Sequence, residues 1–108
     1  MEIKQRTVGD AVIVAFSGDV DMATSPDARR VFLDLVAKKT PKIVVNLTSV
    51  SYIDSSGLAT LVECFQNMRK FGGKLRLFGL NENIKDVFSL ARLDTIFEIK
   101  PSEQDALS

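Results

Sequence analysis

Histidine is absent from the 108 residues, cysteine occurs once, and the formal charges cancel. Each lack excludes something. Without histidine the chain forgoes the commonest general base, the usual zinc ligand and every Ser-His or Cys-His nucleophile pair. A lone Cys64 cannot close an internal disulfide, which agrees with a reducing, cytoplasmic setting. Fourteen basic and fourteen acidic residues leave no net charge, and neither sign gathers into a long run. A basic face for direct nucleic-acid binding or for a membrane surface is therefore not expected. No apolar run reaches membrane-spanning length, and Met1-Glu2-Ile3-Lys4-Gln5-Arg6 lacks the apolar region of a signal peptide. A Gly-rich phosphate loop of the G-x-x-x-x-G-K-[ST] kind is missing as well. Nothing in the sequence calls for a cofactor or a metal ion, and no nucleophile–base pair points to an enzyme.

What is present suits one soluble domain spanning residues 1–108, with 45% apolar residues and enough length for a core. Glu2–Val8 and Ala11–Phe16 read as strands joined around Gly9-Asp10, a favourable hairpin pair. Ser25-Pro26-Asp27 follows the start rules for a helix, with Ser25 as N-cap and Pro26 at the first helical position. Ala28, Val31, Phe32, Leu35 and Val36 then form one apolar stripe. The strand from Lys42 to Leu47 is apolar on both faces except at Asn46, as in a sheet covered by helices.

A second helix is expected over about Ser56–Phe71, closed by Gly72-Gly73. Leu58, Leu61, Val62, Phe65 and Met68 or Arg69 mark its buried face, and Thr60 and Glu63 fall toward solvent. Lys74–Phe78 reads as a strand. A third helix is expected over Asn83–Ala91 with Asn83 as cap, then a strand over Thr95–Ile99 and a frayed tail from Pro101, about residues 101–108. The order β-β-α-β-α-β-α-β defines an α/β fold: a single-domain mixed, largely parallel sheet covered by helices.

The most informative stretch is Tyr52-Ile53-Asp54-Ser55-Ser56-Gly57-Leu58. It leaves a buried strand and enters a helix, so two hydroxyls face unpaired backbone N–H groups and the positive end of the helix dipole. Such a place caps a helix, binds an anion or carries a phosphate. A phosphate at Ser55 would gain about 0.3–1 kcal/mol from the dipole, so the fold should tolerate it. It would also add about −1.5 to −2 charges beside Asp54 and near Asp19 and Asp21.

Taken with Gly18-Asp19-Val20-Asp21, the strand ending at Leu47, the Gly72-Gly73 break and Val87-Phe88, this segment resembles the bacterial STAS-domain anti-sigma factor antagonists, or anti-anti-sigma factors. The likeness covers nearly the whole chain and implies a STAS-like fold. It implies a non-enzymatic, cytoplasmic binding protein that, when unphosphorylated, captures an anti-sigma factor serine kinase and so releases a sigma factor. Phosphorylation of the first serine of Asp-Ser-Ser-Gly, here Ser55, ends the capture, and a serine phosphatase reverses it. Two positions depart from the pattern: Ala59 and Arg92 stand where relatives often carry glycine.

Other readings of the same residues stay open. Ser55 and Ser56 can serve only as caps. Asp19, Asp21 and Asp54 can be solvated loop acids, or together a Mg²⁺ site, though oxygen-only sites of that kind usually need substrate phosphates as well. Gly18 and Gly57 suit the backbone, Cys64 reads as a small hydrophobe, and Asn46 reads as a satisfied amide tying down the next loop. The module can also serve another partner, as a lipid-transport accessory or a stress-signalling scaffold, or be a structural subunit. A small nucleotide-binding protein or enzyme is the reading from another class. On the favoured one, the partner-facing rim comprises Gly18, Asp19, Asp21, Asp54, Ser56, Gly57 and Thr60, with Arg92 and the tail outside it.

Overall fold

Residues 42–49 set the architecture, because their central run from Ile43 to Leu47 is, apart from Asn46, apolar toward both faces of the sheet it enters. In the computed structural model, which describes residues 1–108, they form β3 (Lys42–Ser49), preceded by β1 (Glu2–Val8) and β2 (Ala11–Ser17). β4 (Lys74–Phe78) and β5 (Glu98–Lys100) follow, and the helices are α1 (Ser25–Ala37), α2 (Ser55–Lys70), α3 (Glu82–Leu90) and α4 (Glu103–Leu107). The five strands lie in the order β1-β2-β3-β4-β5. Only the β1–β2 pair is antiparallel; the rest of the sheet is parallel, the mixed α/β arrangement expected.

One face carries Val14, Phe16, Ile43, Val45, Leu47, Leu75 and Leu77 into the main core, against Phe32, Leu35, Leu61, Met68 and Phe88 of α1–α3. Edge-to-face contacts join Phe16 to Phe32 and Phe97 to both Phe65 and Phe88. The opposite face is smaller: Ile13, Val44 and Phe78 pack on Ala106 of α4. The tail expected to fray is thus a helix, and the reason is tertiary. Ala106 is fully buried, Lys42 Nζ donates to the Leu107 carbonyl at 2.7 Å, and Arg76 donates to the carbonyls of Ala106 and Ser108. Cations at the last carbonyls of a helix oppose its negative end. Arg76 also pairs with Glu98 at 2.6 Å, and that hydrogen bond holds the Glu98 carboxyl below the usual carboxylate range.

Helix starts differ from expectation by one or two residues, and in α2 and α3 the reason is that a neighbouring side chain takes the cap. Ser25 is already helical and buried; Thr24 holds the N-cap position. Asn81, not Asn83, caps α3, its Oδ1 accepting from Ile84 N–H at 2.8 Å while its amide donates to the Val50 carbonyl. Asn81 wins because only there can one amide serve both the helix and the loop after β3. The last strand is shorter than expected, since Leu93–Thr95 form a 3₁₀ turn. At the end of α2, Gly72 adopts φ +79°, Gly72 N–H donates to Arg69 O, and Gly73 N–H donates to Met68 O at 2.8 Å, a Schellman closure.

Arg92 lies in the left-handed region at φ +61°. A side chain there carries roughly 1–2 kcal/mol of strain that glycine would not, offset by glycine's own chain entropy. Arg92→Gly is expected to raise unfolding free energy by about 0.5–1 kcal/mol. Ala106→Asp, which places a carboxylate against Val44 and Phe78, is expected to lower it by about 2–3 kcal/mol. Urea titration followed by circular dichroism measures both; an unchanged Ala106→Asp midpoint would mean α4 adds nothing to the fold.

Candidate functional site

Two loops leave the carboxyl ends of adjacent parallel strands, Gly18–Thr24 after β2 and Val50–Asp54 after β3. Ligand sites in parallel sheets gather at such ends. The loops are tied as a miniature extension of the sheet. Gly18 N–H donates to Ser49 O and Val20 N–H to Tyr52 O, both at 3.0 Å, and Asp54 N–H donates to Val20 O at 3.2 Å. Val20 and Ile53 form a parallel bridge and are both buried.

Gly57 closes this arrangement. A Cβ there would lie 2.6 Å from the Val20 carbonyl oxygen and 2.7 Å from Ile53 Cγ1, so no other residue lets α2 come this near the first loop. Asp54 then works twice. Its Oδ1 accepts from Gly57 N–H at 3.0 Å and caps α2, while its Oδ2 accepts from Met22 N–H at 3.1 Å. Asp21 holds the other loop: its Oδ1 accepts from Ala23 N–H and Thr24 N–H, and Thr24 Oγ1 donates to the Asp19 carbonyl. Asp21 thus forms the Asx turn of this loop.

These assignments change the reading of the serines. Asp54 is the N-cap, so Ser55 is the first helical residue and not the residue before the helix. Ser55 is exposed, and its hydroxyl makes no hydrogen bond within the protein. Ser56 is half-buried and its carbonyl accepts from Thr60 Oγ1 at 3.0 Å. Thr60, expected to face solvent, is 8% exposed. The buried face of α2 runs through Gly57, Thr60, Leu61, Cys64 and Met68, turned from the expected stripe because α2 packs on α1 as well as on the sheet. Its spacing of three and four was present in the sequence; the small residues Gly57 and Thr60 hid it.

Gly18, Asp19, Asp21, Asp54, Ser55, Ser56 and Gly57 thus come together at one rim, Gly57 beneath it and Thr60 turned inward; Arg92 follows the far end of α3. Asp19, Asp21 and Asp54 do not form a group able to hold a metal ion, two of the three being committed to backbone N–H groups. Asn46 Oδ1 accepts from Thr48 N–H at 2.9 Å, a bond within β3 itself and not the tie to the following loop expected of it. Cys64 is buried, and burial, with Glu63 beside it, pushes its thiol up to about 12. Two features escaped the sequence reading. Met22 is 76% exposed and Tyr52 is 53% exposed, both in the tied loops. The signal was there in an apolar residue beside Asp21 and an aromatic before Ile53.

Residues 2–106 match the STAS domain family. The chain is 33% identical over 103 residues to the anti-sigma-B factor antagonist of Listeria monocytogenes, covering 95% of this chain and 90% of that protein. It is 29% identical over 104 residues to the anti-sigma-B factor antagonist of Bacillus subtilis, covering 96% and 93%. Among solved structures, an anti-sigma factor antagonist from Mycobacterium paratuberculosis superposes with a TM-score of 0.90 at 25% identity, covering 98% of this chain and 90% of that one. The chain therefore belongs to the STAS-domain anti-sigma factor antagonists, a class of regulatory binding proteins. No helix is long and apolar enough to cross a membrane.

Gly57→Ala should destabilise the protein by about 1–3 kcal/mol, since the loops must part to admit one methyl group. Thermal melting measures the loss; an unchanged midpoint would show that the Val20 contact is slack. Cys64 should resist iodoacetamide at pH 8 in the folded protein and react promptly in denaturant, because a thiol at about 12 holds almost no thiolate there. Rapid labelling of the native chain would contradict the burial.

Proposed function

We propose that this chain is the phosphorylation-switched member of a partner-exchange system. Unphosphorylated, it captures an anti-sigma factor serine kinase in the cytoplasm and so frees a sigma factor. Phosphate on Ser55 ends the capture, and a serine phosphatase restores it. The observation that carries this reading is the division of work between Asp54 and Ser55. Asp54 supplies the cap, which leaves the Ser55 hydroxyl exposed and unbonded at the first turn of α2. A kinase can reach it, and the fold loses no hydrogen bond when it is modified.

The expected energetics suit a switch. At an exposed helix N-terminus the dipole favours a phosphate by about 0.3–1 kcal/mol, so stability should hardly change. The partner meets something different. About −1.5 to −2 charges beside Asp54 repel acidic groups on the kinase, and the added bulk obstructs close packing. The scaffold stays and the interface fails. Gly18, Asp19, Asp21 and Ser56 belong to the same partner-facing rim in this reading.

Incubation with the anti-sigma factor kinase and ATP, followed by fragment mass spectrometry, should place one phosphate, on Ser55. Phosphate on Ser56 alone would sink the assignment. Ser55→Asp should weaken kinase binding in a calorimetric titration by less than full phosphorylation does, because it adds a single charge. Its melting point should move by no more than a degree or two, since an acid in the first turn agrees with the dipole. Tight binding by Ser55→Asp and by the phosphorylated chain together would end the proposal.

A further inference from the structure

Met22 and Tyr52 are large, apolar and exposed, at 76% and 53%, yet the backbone beneath them is fixed. Met22 N–H is held by Asp54 Oδ2 at 3.1 Å, and the Tyr52 carbonyl accepts from Val20 N–H at 3.0 Å. Neither side chain belongs to either hydrophobic cluster of the fold. The tie from Met22 ends on the residue before Ser55, and Tyr52 lies three positions before it. An exposed apolar residue is ordinary when it stands alone. Two of them on loops tied together at Asp54, beside one modifiable hydroxyl, are a pair of anchors whose backbone is already fixed, so that binding has only their side chains left to order.

We infer that Met22 and Tyr52 are the apolar anchors by which this chain docks its partner protein, flanking Ser55 at the centre of the interface. The inference rests on the proposed function for the identity of the partner, the anti-sigma factor kinase. Methionine fits irregular apolar pockets, and tyrosine adds a broad face with one polar end; both are enriched where protein interfaces are driest. The partner surface that fits is an apolar pocket or groove, in place of a purely charged patch. This placement also gives the phosphate a stronger effect than repulsion alone. A dianion at Ser55 would have to shed its water to enter a contact sealed by Met22 and Tyr52, and burying an uncompensated charge is strongly unfavourable.

The test is calorimetric titration of the full chain against the purified anti-sigma factor kinase. Met22→Ala and Tyr52→Ala should each weaken binding tenfold or more, and the double variant a hundredfold or more. Tyr52→Phe keeps the apolar face and should bind within threefold of the parent. Leu90→Ala, which removes the most exposed large apolar side chain at the end of α3, should bind within twofold. Melting points should match the parent throughout, because neither anchor packs in the core. Binding by Met22→Ala and Tyr52→Ala within twofold of the parent, or an equal loss from Leu90→Ala, overturns the inference. Ser55→Asp in the same titration reports separately on the switch: a loss there with no loss at the anchors leaves the proposed function standing and removes only this inference.

Discussion

The approach of Gly57 to the Val20 carbonyl is the contact on which the site depends. Nothing larger than a hydrogen fits at that Cα, and because of it α2 begins directly against the loop that follows β2. Once there, Asp54 can cap the helix with one oxygen and hold the Met22 amide with the other. Val20 in turn pairs with Ile53 as though β2 and β3 ran one residue pair further. Two surface loops, which would ordinarily be the mobile part of such a domain, become a continuation of the sheet.

That rigidity bears on regulation. A switch can act by moving the scaffold or by altering its surface. The tied loops favour the second. Asp54 caps α2 through the Gly57 N–H group, and a serine at the next position is left with no structural hydrogen bond to make. Modification there would change charge, bulk and hydration in front of a surface whose backbone is already set. Cys64, by contrast, lies on the same helix only a few turns away and is sealed against chemistry by its burial.

Most of the fold could be read from the residues alone. The two-faced apolar strand at 42–47, the stripe through Ala28, Phe32 and Leu35, and the Gly72-Gly73 stop are strong local signals, and the structure follows them. What escaped reading was decided between distant parts of the chain. Runs such as Asp54-Ser55-Ser56 and Asn81-Glu82-Asn83 offer several caps in succession, and local preference does not choose among them. Asp54 and Asn81 prevail because each also bonds another loop. Thr60 was misplaced because small residues conceal a buried face. The last helix is too short for any period to show, and it exists through Arg76, Lys42 and the pocket over Val44. At the rim, the acidic residues and Ser55 were visible as chemistry, whereas Met22 and Tyr52 become conspicuous only once their exposure is known.

The central claim is that phosphate on Ser55 alters the surface and leaves the loop clasp closed. Amide hydrogen exchange at Val20 and Asp54, compared between the unmodified chain and one with phosphoserine installed at position 55, tests it most directly. Both amides donate within the clasp, to Tyr52 and Val20 respectively. The account predicts protection within about threefold of the unmodified protein, a difference of under 1 kcal/mol in opening free energy. A fall in protection of a hundredfold or more, spreading from these amides into α2, would show that phosphorylation springs the clasp and that the switch is conformational.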